Sequence, residues 1–93
     1  MDDKFADIPV DDGMILKRQR TIRIGDLVGV LQKWVLDGTR GESLVFADQD
    51  VAAFSDDELS ELVMSSEYAG EDKSSTIVRN SSGFTFVNIN FTF

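Results

Sequence analysis

The chain has 93 residues and a formal net charge of −8; 42% of it is apolar and 10% aromatic, and it contains no cysteine and no histidine. That is one domain's worth of chain, with apolar content sufficient for a single core. The missing cysteine and histidine exclude disulfides, thiolate or imidazole zinc sites, cysteine nucleophiles and Ser-His triads.

The charge is divided along the chain. Residues 1–12 carry a net −4, residues 13–40 a net +4 and residues 73–93 a net +2. Residues 41–72 hold ten acids and no Lys or Arg, a net −10. Such a block is a statement about partners and association more than about fold.

In chain order, MDDKFADIPVDD with the only proline at Pro9 predicts a flexible acidic leader over residues 1–12. Its acids stand where a secretory signal would need a positive flank. No apolar run approaches the about 18 residues of a membrane span. The expected location is therefore cytoplasmic, without a membrane partner, and the N-x-S/T triplets at Asn80 and Asn90 are chance matches.

MILKRQRTIRI, Met14 to Ile24, predicts a strand. Ile24, Leu27, Val28, Leu31, Trp34 and Val35 then fall at helical steps and predict an amphipathic helix, with Gly38 as its C-terminal cap and Asp26 favourable to its dipole. Gly25 and Gly29 each weaken such a helix by about 1 kcal/mol, and Gly29 also suits close approach of a neighbour. GTRGE reads as a turn, Ser43 to Ala47 as a short strand, Asp48-Gln49-Asp50 as a turn and VAAF as either a strand or a connector.

Ser55 and Glu58 make a capping box, with Phe54 and Leu59 spaced as a hydrophobic staple, so a helix is predicted at about 55–66. Leu59, Leu62 and Val63 would face inward. After the polar loop SEYAGEDKSS, Thr76–Arg79 and Phe84–Phe93 should form an antiparallel hairpin about Asn80-Ser81-Ser82-Gly83. In the last strand Phe84 and Phe86 are out of phase with Val87, Ile89, Phe91 and Phe93. Either a bulge re-aims them or both faces of the strand are covered.

The expected fold is a single α+β domain over residues 13–93, in the order β-α-β-α-β-β. Two helices would pack on one face of a roughly four-stranded, mainly antiparallel sheet.

The candidate site follows from the charge. Asp48, Asp50, Asp56, Asp57, Glu58, Glu61 and Glu67, continued by Glu71 and Asp72, suit a negative surface that docks on a basic protein, such as a nucleic-acid-binding protein or a nuclease complex. The plainer alternative is a solvated helix face whose first-turn acids favour the dipole. Phe84 and Phe86 are either anchors for that partner or core, and Trp34 on its apolar stripe reads as core.

Lys17, Arg18, Arg20 and Arg23 could form a phosphate strip, but the −8 chain repels a polyanion, so direct nucleic-acid binding is not expected. A calcium loop starting at Asp48 fails at Ala52, Ala53 and Leu59, so no metal site is expected. No carboxylate pair or phosphate-binding motif stands out, and neither catalysis nor a cofactor is expected.

This profile is similar in type to that of small phage or mobile-element inhibitors such as anti-CRISPR proteins, and to bacterial immunity proteins. The resemblance covers the whole chain, rests on no motif, and implies an inhibitory protein–protein interaction module. The competing expectation is a structural or assembly subunit that oligomerises, as a homodimer for instance, through its C-terminal strand.

Overall fold

The computed structural model describes residues 8–9, 12–68, 73–79 and 83–91. It is a small single domain with a five-stranded antiparallel sheet and two short helices, an α+β arrangement. The strands are β1 (Met14–Ile24), β2 (Leu27–Leu36), β3 (Thr39–Ala47), β4 (Lys73–Arg79) and β5 (Phe84–Phe91). The helices are α1 (Asp48–Val51) and α2 (Asp56–Met64), both in the β3–β4 connection. Strand order across the sheet is β1-β2-β3-β5-β4.

The largest correction to the sequence reading is β2. The stretch expected as a helix after Ile24 is an extended strand, so the sheet has five strands and, among the described residues, the only helices follow β3. The reason is in the residues between the apolar stripe positions. A helix with that stripe would turn Val30 toward water, whereas Val30 is fully buried. LVGVLQKWVL is apolar on both faces of a strand for most of its length, the pattern of a strand covered on both sides.

Its ends are hairpin turns. Ile24 faces Leu27 and Leu36 faces Thr39, which leaves two-residue loops at Gly25-Asp26 and Asp37-Gly38. Asp37 and Gly38 have φ of 51° and 80°, as a type I′ turn requires at both central positions. The glycine expected to end a helix instead reverses a strand. GTRGE is accordingly not a turn: Thr39 to Glu42 are the first half of β3.

The remaining elements agree better. β1 spans Met14–Ile24 as expected, with a register irregularity between Leu16 and Arg18. Asp48-Gln49-Asp50-Val51 forms one turn of helix rather than a plain turn. α2 carries the full capping box: Glu58 N–H donates to Ser55 Oγ (3.1 Å) and Ser55 N–H to Glu58 Oε1 (3.0 Å). β4 and β5 pair antiparallel, with β4 beginning three residues earlier than expected, at Lys73. Of the turn joining them only Gly83 lies among the described residues.

The sheet has two differently covered faces. On one, Ile22, Ile24, Leu31, Leu44, Phe46, Val87 and Ile89 pack with Val51 of α1 and with Leu59 and Val63 of α2. Phe54, half-buried, packs against this core, of which Leu59 is a member. On the opposite, open face Val30, Val45 and Phe84 form a smaller cluster with Ile8, Val28 and Phe86 against it. Ile8, Pro9 and Asp12 are the described part of the expected leader; the rest lies outside the described residues.

This arrangement resolves the phase problem in β5. The strand runs without a register break against both β3 and β4, so no bulge re-aims it. Phe84 and Phe86 point to the open face and Val87 and Ile89 to the helix face, and both faces are covered. β5 is also an interior strand, hydrogen-bonded to β3 and β4. A partner strand would therefore find its free edge on β1 or β4, not along the paired length of β5.

Asp37→Val separates the turn from a helix end. A β-branched residue at φ near 51° should cost about 1–2 kcal/mol, read as a lower urea midpoint by Trp34 fluorescence. In a helix Asp and Val have nearly equal propensity, and the midpoint would not move.

Candidate functional site

The acidic residues are arranged by α2. Burial of Leu59 and Val63 against the sheet turns Asp56, Asp57, Glu58 and Glu61 outward, and all four are exposed. Residues three and four apart on a helix are neighbours, so Asp57, Glu58 and Glu61 share one side.

These carboxylates are not equivalent. Asp56 Oδ1 accepts from Arg79 Nε at 2.8 Å, an exposed pair in which Asp56 keeps 65% of its side-chain surface. Solvent screening leaves such a pair with little net energy. Its consequence is positional. The same guanidinium donates to the carbonyls of Val51 (3.3 Å) and Phe54 (2.8 Å), and so fastens the α1–α2 junction to the end of β4.

Glu58 is committed to the capping box. The Ser55 backbone N–H and then the Ser55 hydroxyl stabilise its charged form and hold its carboxyl below the ordinary range. Asp48 is half-buried; Thr85 Oγ1 donates to its Oδ1 at 2.6 Å, and its own N–H donates to Gly83 O at 3.1 Å. Asp50 is half-buried and engaged. Asp57, Glu61 and Glu67 are exposed, without a cation against them among the described residues. Glu71 and Asp72 lie outside the described residues.

The basic strip read along β1 is not one patch. Cross-strand register sets Arg18 and Arg20 on the helix face, opposite Lys33 and Leu31, and Arg23 on the open face, opposite Val28. The Arg20 guanidinium carbon lies 5.9 Å from the centre of the Tyr68 ring, a cation–π contact. None of the three is ion-paired to the acidic block among the described residues. Lys17, Lys33, Arg40 and Glu42 instead border a shallow hollow near the β2–β3 hairpin.

The two phenylalanines divide. Phe84 is buried with Val30 and Val45, while Phe86 is half-buried and lines a groove of about 350 Å³ on the open face. The other walls are Pro9, Met14, Trp34, Leu36 and Val78, and Gln32, Ser43 and Asn88 form its polar part. Trp34, expected in the core, is only half-buried. Its indole crosses Gly41 on β3 so closely that a Cβ there would meet ring atoms at 2.2 Å.

Sequence reasoning missed this groove and the Arg79 clasp. Arg79 meets Asp56 across 23 positions, and the groove draws side chains from all five strands; neither leaves a local spacing signal.

No three acids among the described residues converge in a way that could hold a metal ion. No helix of the described residues is long and apolar enough to cross a membrane. Comparison with known proteins found no family model, no curated protein and no solved structure that matches the chain.

Two outcomes test this geometry. Because its folded carboxyl is held low, Glu58 contributes stability that is present at neutral pH and lost as pH falls through its folded pKa. An NMR titration should place Glu58 below the ordinary glutamate range in the native chain, and Ser55→Ala should raise it toward that range. Gly41→Ala should lift the Trp34 ring, lower stability by about 1–3 kcal/mol and shift indole emission to the red. An unchanged emission maximum would mean the ring does not rest on Gly41.

Proposed function

We propose that this protein is a small protein–protein interaction module that inhibits a basic, nucleic-acid-handling partner, in the manner of anti-CRISPR or bacterial immunity proteins. The observation that carries this reading is the run of exposed α2 acids continued by Glu67, set within a 32-residue stretch that has no Lys or Arg. Asp57, Glu61 and Glu67 supply charge to the partner, because no cation of the described chain neutralises them. Asp48, Asp56 and Glu58 mainly hold α1 and α2 in place. Phe84 and Phe86 lie on the opposite face of the sheet from these acids and take no part in the same contact. Complementary charge of this kind acts chiefly on association rate and specificity, and it is screened by salt. The partner is bound as a protein, with no cofactor, and the action is not catalytic.

The test reverses the three uncommitted acids together, Asp57→Lys, Glu61→Lys and Glu67→Lys, which spares the cap and the clasp. Wild-type chain immobilised against host lysate should retain a basic protein at low salt and release it as salt rises. The triple variant should fail to retain the same protein. Equal retention by both chains with the same salt dependence would overturn the reading.

A further inference from the structure

On the open face a single row of polar side chains crosses the whole sheet. Gln19 faces Gln32, Gln32 faces Ser43, Ser43 faces Asn88 and Asn88 faces Thr76, one residue from each of the five strands. The neighbouring row is apolar apart from one residue: Thr21, Val30, Val45, Phe86 and Val78. A polar row is costly to bury, and two of its members, Gln32 and Ser43, are each only 3% exposed.

The hydrogen bonds along the row have a defined direction. Indole N–H can only donate, and Trp34 Nε1 donates to Ser43 Oγ at 2.9 Å. Ser43 Oγ in turn donates to Asn88 Oδ1, at 2.7 Å. That fixes the Asn88 amide with Nδ2 turned away from Ser43 and both of its protons to give. Across β3, Gln32 Nε2 donates to Gln19 Oε1 at 3.0 Å, which leaves Gln32 Oε1 as an acceptor. Neither Asn88 Nδ2 nor Gln32 Oε1 has a hydrogen-bond partner among the described residues. Both residues line the groove between Trp34 and Phe86.

We infer that this groove is a binding site for a neutral sugar ring. It offers one donor and one acceptor on strands about 10 Å apart, two strand spacings, beside two aromatic side chains. None of its nine lining residues is charged, which excludes a carboxylate, phosphate or ammonium as the group recognised. A pyranose meets these terms. Its hydroxyls each donate and accept, so one ring edge answers both Gln32 Oε1 and Asn88 Nδ2, while its C–H face lies against an aromatic wall. Apolar walls with a few placed polar groups and a volume of about 350 Å³ suit a ligand of that size. The site is independent of the α2 acids, which lie with the helices on the other face of the sheet.

Trp34 is the only tryptophan and reports directly on the groove. Titration of the full chain with methyl glucopyranoside and, separately, N-acetylglucosamine should shift its emission saturably and move the indole N–H resonance. Asn88→Asp keeps the acceptor for Ser43 and the side-chain shape but removes the donor, and should weaken binding about tenfold. Val78→Glu, at a 39% exposed wall position where folding is not at stake, should also weaken it by charging the groove. The inference is overturned if neither sugar perturbs Trp34, or if Asn88→Asp and Val78→Glu both bind as wild type does. It is equally overturned if uridine or adenosine saturates the site while both sugars fail, since the ring recognised would then be a base.

Discussion

Leu44, Val45 and Phe46 are consecutive, point to alternate faces of β3, and are all fully buried. Three successive residues of a strand can lose their solvent exposure only when both faces of the sheet are covered. The rest of the structure follows from that constraint. α1 and α2 cover one face through Val51, Leu59 and Val63; on the other, Val30 and Phe84 close around Val45, with Ile8 against them. Each fully buried side chain of this kind contributes about 1.5–3 kcal/mol relative to exposure, as an upper estimate. The central strands therefore have little freedom to slip, because a one-residue shift would exchange the two clusters.

The two faces then diverge in character, and with them their capacity for function. The helix face is packed with apolar side chains under α1 and α2, whose outward surface carries the α2 acids. Arg18, Arg20 and Lys33 are exposed elsewhere on the same face. The open face keeps a polar row and a half-buried tryptophan next to apolar side chains. Polar side chains held in an ordered chain of hydrogen bonds are rigid, because each bond sets the direction of the next. Charge on one side suits long-range attraction to a basic protein, while neutral groups on the other suit short-range recognition.

Legibility from sequence followed the locality of each signal. β1, α2 and the β4–β5 hairpin were readable because alternation, a capping box with its staple, and a polar turn all act within a few residues. β2 was not readable by period alone: Leu27, Leu31 and Trp34 satisfy helical spacing, and Val30 and Val28 reveal their burial only once a second covered face is known. The stronger signal was Asp37-Gly38, which marks a type I′ hairpin as readily as a helix end. The site divided in the same way. The α2 acids were visible as a run, but their separation into committed and free groups depends on Arg79, Thr85 and Ser55. Gln19, Gln32, Ser43, Asn88 and Thr76 become one row only through register, which no spacing in the chain announces.

Everything here depends on residues 27–36 running as a strand between β1 and β3. The direct measurement is a nuclear Overhauser experiment on labelled protein. Cross-strand contacts between Leu31 and Leu44, and between Arg20 and Leu31, with extended-range shifts from Leu27 to Leu36, are the result this account requires. Sequential amide–amide contacts running unbroken through the same ten residues, as in a helix, would contradict it.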